Sequence, residues 1–129
     1  MHHFQFGVMQ STVEIGRNGE DLAVAYLEHK GYRILERNWR SGHKEIDIIA
    51  MDGDTLVVVE VKCRKSLNFG DPDIAVGVMK QRMLIYAAEA YLNYNNLDVE
   101  VRFDIISMVV TPQGEHIEHI EDAFYPLIH

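Results

Sequence analysis

The sequence predicts an α/β domain with the element order αβββαβ, a mixed sheet flanked by helices and extended by one further C-terminal strand. Three observations lead there. Two stretches, ending at Gly31 and spanning Val78 to Tyr94, repeat their apolar residues at helical spacing. Three short strand-like runs, joined by tight-turn signals, lie between them. A long alternating run, Val99–Val110, follows the second helix and leads through Thr111-Pro112-Gln113-Gly114 into Glu115–Ile120.

Ser11-Thr12-Val13-Glu14 has the form of a capping box, in which the first hydroxyl and the fourth-position carboxylate satisfy free backbone amides at a helix start. Ile15, Leu22, Ala23, Tyr26 and Leu27 then share one helical face until Gly31 stops the run. Glu20 lies at the border of that apolar stripe. From there a carboxylate can reach a neighbouring site, although solvent is the commoner surrounding for a single helix-surface acid. Tyr32–Arg40 alternates loosely, sets the single tryptophan among arginines, and reads as an edge strand. Ser41-Gly42-His43-Lys44 turns it into the next strand.

The central hairpin follows. Ile46, Ile48, Ile49 and Ala50 form one apolar run and Leu56–Val61 another, with Asp52-Gly53 as the turn between them. A two-residue loop at Asp52-Gly53 pairs Met51 with Asp54, placing Asp47 opposite Val58 and diagonal to Glu60. Alternation then sets Asp47, Val58, Glu60 and Lys62 on one face, and Ile46, Ile48, Val57, Val59, Val61 and Cys63 on the other. Ser66–Pro72 reads as a surface loop. Met83, Leu84, Ala87, Ala88, Tyr91 and Leu92 give the second helix its stripe, which ends at Asn95-Asn96. Val101, Phe103 and Ile105 share a face of the following strand. His116 and His119, three apart on a strand, point to opposite faces and do not form a zinc pair.

Two acids and a lysine within β-branched runs need a physical reason. A charge buried alone costs several kcal/mol, so the three either neutralise one another, with Glu60 and Lys62 as an ion pair, or hold a cation. Hard oxygen donors suit Mg²⁺ or Mn²⁺.

The length of 129 residues, with 47% hydrophobic and 25% charged residues, fits one domain spanning 1–129. Residues 1–10, including His2-His3, are expected to be poorly ordered. No apolar run is long enough to span a membrane, and the opening residues lack a signal-peptide pattern, so a cytoplasmic protein without membrane partners is expected. Cys63, the one cysteine, cannot form an internal disulfide and reads as a small buried hydrophobe.

The net charge of −8 argues against binding nucleic acid by bulk charge. Its distribution is uneven: residues 1–88 carry eleven Lys/Arg against twelve Asp/Glu, while 89–129 carry one against eight. A local basic rim is therefore required if nucleic acid binds. Arg40, Lys44, Arg64 and Lys65 flank the hairpin ends, and Lys80 and Arg82 open the second helix, where cations oppose the dipole unless an anion is present. These six are the candidates.

With these residues in view, the chain resembles the restriction-endonuclease-like, or PD-(D/E)XK, nucleases. That superfamily shares this core order and carries an acid on the second core strand with E-x-K on the third, matched here by Asp47 and Glu60-Val61-Lys62. More closely, Gly16–Glu20, Gly31-Tyr32-Arg33-Ile34-Leu35, Asn38-Trp39-Arg40, Glu45–Ile49, Val59–Lys62 and Arg102-Phe103-Asp104 look like the YraN-like family, over roughly residues 14–124. No proline precedes Asp47, and His43-Lys44 stands where that family usually has a glycine before Glu45. The resemblance implies a Mg²⁺ site, with Mn²⁺ as an alternative ion, formed by Asp47, Glu60, the Val61 carbonyl and Glu20, the last as in archaeal Holliday-junction resolvases. Asp47, Glu60, Lys62 and Glu20 are then the catalytic residues, and DNA, including branched DNA, the substrate. A homodimer is compatible with the sequence. The alternative is a catalytically silent nucleic-acid-binding or adaptor protein on the same scaffold.

Overall fold

The computed structural model describes residues 2–6, 12–64 and 76–124, with side chains for 19–63, 76–109 and 111–124. In chain order the elements are β1 (His2–Phe6), α1 (Thr12–His29), β2 (Arg33–Ser41), β3 (Lys44–Asp52), β4 (Thr55–Arg64), α2 (Val78–Tyr94), β5 (Val101–Thr111) and β6 (Gly114–Ile120). They form a six-stranded sheet of order β1-β6-β5-β4-β3-β2. Only β4 and β5 pair in parallel, an arrangement that needs a crossover connection, which α2 supplies. The expected αβββαβ core is present, with β6 as the additional C-terminal strand. None of the described helices is long and apolar enough to cross a membrane.

The core has two layers, one on each face of the sheet. Ala23, Tyr26 and Leu27 of α1 bury Ile48, Ala50, Val57, Val59, Ile106, Met108 and Ile117. On the opposite face Leu84, Ile85, Ala87, Ala88 and Tyr91 of α2 bury Ile46, Ile49, Leu56, Val58, Phe103 and Ile105. Each large aliphatic side chain so enclosed contributes about 1.5–3 kcal/mol. Because β3, β4 and β5 are covered on both faces, their apolar residues run on with little interruption, and any charge within them is conspicuous.

Four sequence expectations change. Residues 2–6, expected to be poorly ordered, pair antiparallel with β6, His2 standing against His119 and Phe6 against Glu115. The hairpin loop is Gly53-Asp54, one residue later than expected: Asp52 pairs with Thr55 and Met51 with Leu56. Gly53 has φ 60°, which a turn with glycine at its first central position requires. The loop keeps two residues, so the faces of β4 survive the shift. Ile49, not Asp47, now faces Val58. Alternation also fails at Asp47, since Ile46 joins the α2 layer and Ile48 the α1 layer. Asn38, at φ 52°, lies between Arg37 and Trp39, which pair with Ile48 and Ile46, while the register of β2 against β3 shifts between Ile34 and Glu36. Finally, Cys63 is exposed rather than buried.

Candidate metal centre

Beyond the pair Ile48–Val59 the antiparallel ladder of β3 and β4 gives way to a side-chain bond, in which the Val61 amide donates to Asp47 Oδ2 at 2.9 Å. The paired register ends one residue short of Asp47 and Glu60; the Val61 amide fixes Asp47 in place, and the charge of Asp47 acts on Glu60.

Glu60 leaves the sheet towards α2. Its side chain is 12% exposed, its Oε2 lies 3.4 Å from Lys80 Nζ, and its Oε1 is buried with no hydrogen-bond partner among the described residues. Burial first, and then the charge of Asp47, raise the Glu60 carboxyl above the ordinary range, while Lys80 and Lys62 pull it down. A carboxylate oxygen buried without a donor is costly, and a cation would satisfy it. Mg²⁺ retains several waters and needs only one or two carboxylates, so Asp47 and Glu60 fit it. Among the described residues no group of three or more Asp, Glu, His or Cys side chains converges in the manner of an all-protein cage.

Lys62, two residues beyond Glu60 on β4, is half-buried and close enough to act electrostatically on it. Glu20 is not brought into this cluster. Its Oε1 accepts from Arg37 Nε at 3.1 Å and from Asn38 Nδ2 at 2.9 Å, while Arg37 also bonds Asp21. Glu20 thus reaches Asn38, the residue beside Asp47 on the neighbouring strand, and stops there: its helix lies over the α1 layer, whereas Glu60 faces α2. The Cys63 sulfur packs over α1, where a Cβ added to Gly19 would stand 2.5 Å from Sγ. Partial burial and Asp47 raise its thiol.

The six basic candidates divide. Arg40 is exposed, with Nε 2.7 Å from Glu45; Lys44 is half-buried and Arg82 exposed; Lys80 is held by Glu60. The Arg64 side chain and all of Lys65 lie outside the described residues. So does the loop read at Ser66–Pro72.

Sequence reasoning missed a second polar cluster, under α1. Asp104 and His119 are buried, with His119 Nε2 2.7 Å from Asp104 Oδ2. Arg102 grips Asp104 through Nε and Nη2, both at 3.0 Å, and also donates to Asp52 and Tyr32. Lys30 Nζ lies 3.1 Å from both His119 Nδ1 and Glu121 Oε2, and the Tyr26 hydroxyl 3.0 Å from Nδ1. An ammonium only donates, so Nδ1 accepts and Nε2 carries the proton given to Asp104. Burial pushes the Tyr32 phenol up to about 12 against the opposing pull of Arg102. Burial alone would raise Asp104, but bonds from His119, Arg102 and the Asp122 amide outweigh it and hold the carboxyl low. The available signal was Arg102 and Asp104 alternating with Val101, Phe103 and Ile105.

The family model described as "Uncharacterised protein family UPF0102" matches residues 19–108. A UPF0102 protein of Chlorobium chlorochromatii is 51% identical over 121 residues, covering 89% of this chain and 94% of that protein. One from Phocaeicola vulgatus is 50% identical over 115 residues, covering 89% and 95%. Among solved structures, Pyrococcus furiosus SfsA in complex with Ca²⁺ aligns at a TM-score of 0.39 and 19% identity, covering 91% of this chain and 66% of that one, a likeness too slight to argue from. On the family match and the near-full-length relatives, the chain belongs to the UPF0102 family.

Proposed function

We propose that this protein is a Mg²⁺-dependent endonuclease of the PD-(D/E)XK type, hydrolysing phosphodiester bonds of DNA. One observation carries the reading: Glu60, within the influence of the Asp47 charge, keeps a buried oxygen without a hydrogen-bond partner among the described residues. Asp47 and Glu60 would hold the ion, with the Val61 carbonyl as a further donor. When bound, Mg²⁺ polarises the phosphodiester and lowers the pKa of a coordinated water. Asp47 is kept in position by the Val61 amide, so the carboxylate is oriented before any ligand arrives. Lys62 stands on the same strand face to orient the attacking water and to offset charge building on the phosphate. Glu20, tied to Arg37 and Asn38, positions the strand beside Asp47 rather than completing the ligand set.

A second reading, a silent nucleic-acid-binding or adaptor protein, draws on the Lys80–Glu60 pair, which already supplies one compensating charge. Cleavage of linear, nicked, flapped and four-way DNA with and without Mg²⁺ separates the two. Metal-dependent cleavage that Glu60→Ala abolishes is expected; binding to the same DNA with no cleavage under any condition selects the silent scaffold.

A further inference from the structure

We infer that Lys80 is the resident counter-cation of Glu60, displaced when a divalent metal enters, and that the freed ammonium then binds a phosphate of the nucleic acid. Metal and nucleic acid thus bind cooperatively through one side chain. The inference rests on the metal reading above and adds a coupling to it.

The pair is lopsided. Glu60 is fixed in a central strand with its side chain 12% exposed, whereas Lys80 approaches from the first turn of α2 with its side chain 43% exposed. The lysine can return to water by rotating its own stem, while the carboxylate cannot leave without disturbing β4. At 3.4 Å the contact is longer than the ~2.7–2.9 Å usual for charge-assisted hydrogen bonds. It engages Oε2 and leaves Oε1 bare. A monovalent ammonium therefore occupies this acid pair incompletely.

Charge counting favours the displacement. Asp47 and Glu60 together bear two negative charges, and Lys62 and Lys80 two positive ones; adding a divalent ion with both lysines in place leaves the centre doubly positive. Lys62 is anchored in the strand, so Lys80 is the group able to leave. Its surroundings decide where it goes. The first turn of α2 contains no acidic residue and Gly77 supplies no side-chain cap, while the helix N-terminus is itself electropositive. Arg82, two residues beyond Lys80, is exposed. No acidic side chain of that turn is there to receive Lys80, and a backbone phosphate beside the metal is a partner for it. Linkage makes the effect reciprocal: phosphate drawing Lys80 away strengthens metal binding as much as metal strengthens phosphate binding.

The test measures metal binding apart from catalysis. Mn²⁺ affinity of the full chain is followed by the electron paramagnetic resonance of free Mn²⁺, and affinity for a nicked duplex oligonucleotide by anisotropy with and without Ca²⁺. Wild type, Lys80→Met, Lys80→Gln, Lys80→Arg and Glu60→Gln are compared. Lys80→Met and Lys80→Gln are expected to bind Mn²⁺ several-fold more tightly than wild type, to melt lower without metal, to gain more melting temperature on adding it, and to lose most of the Ca²⁺-dependent increase in oligonucleotide affinity. Lys80→Arg should retain the wild-type pattern. Equal Mn²⁺ affinity in wild type and both neutral variants, or an undiminished Ca²⁺ effect in them, overturns the role of Lys80 and leaves the metal site standing. Absence of Mn²⁺ binding from wild type and the Lys80 variants alike, matching Glu60→Gln, overturns the metal reading and this inference with it.

Discussion

At the scale of single residues, Glu60 is the group whose environment conflicts with its charge, and its pH dependence shows the conflict. A carboxyl held above its unfolded value favours the folded state below that unfolded value, about 4.3, and that contribution is lost as pH rises through the folded pKa. Glu60→Gln is therefore expected to leave the metal-free protein as stable as wild type at pH 7, or more stable by about 1 kcal/mol, while removing Mn²⁺ binding. Lys62→Met should lower stability instead, because the acid pair loses a compensating charge. Urea denaturation of the three proteins at pH 5 and pH 7 checks both; a large loss in Glu60→Gln would make the carboxylate a structural ion-pair partner. The conflict was legible beforehand because acids in β-branched runs are rare. The Val61 amide bond that holds Asp47 was not, since it depends on where the ladder ends.

At the scale of elements, periodicity was sufficient for both helices and five strands, because each buries an unambiguous stripe. It did not resolve details that one residue can change. The loop slid from Asp52-Gly53 to Gly53-Asp54, and its even length, not its position, preserved the faces of β4. β1 went unseen because its pairing with β6 is a tertiary choice absent from its own pattern. The seat of α1 on β4 is equally tertiary and gives a direct test. Gly19→Ala would place a methyl 2.5 Å from Cys63 Sγ, so α1 or the thiol must move, at a cost expected to offset the roughly 1 kcal/mol that alanine otherwise gains over glycine inside a helix. In a Cys63→Ala background much of that cost should vanish. A double-mutant cycle by thermal melting should show strong coupling, and simple additivity would mean that the helix is seated by other contacts.

At the scale of the whole molecule, the sheet separates two charged clusters with opposite electrostatics. On the α2 side, Glu60 is incompletely paired and raised; on the α1 side, Asp104 is fully paired and lowered, as is Glu121, whose burial is outweighed by Lys30 above all. A lowered carboxyl contributes stability that is complete above its unfolded value, about 3.9 for Asp, and is lost as pH falls through the folded one. The two faces therefore oppose each other, and stability should be greatest in mildly acidic solution, above the α1-side transition and below the pKa of Glu60. Asp104→Asn should cost about 3 kcal/mol at pH 7, because Arg102 and His119 lose a buried partner. The gap to wild type should narrow as pH falls below about 4, where the unfolded wild-type chain takes up a proton on the same carboxyl before the folded one does. High salt should barely alter that gap, since Asp104 and His119 are shielded from solvent, whereas the half-exposed Lys80–Glu60 contact should weaken. Chemical denaturation of wild type, Asp104→Asn and Glu60→Gln from pH 3 to pH 8 resolves the two arms. Glu60→Gln should flatten only the decline on the alkaline side and Asp104→Asn only the decline on the acid side. If either substitution shifted both arms, the two clusters would be coupled through the sheet instead of acting independently.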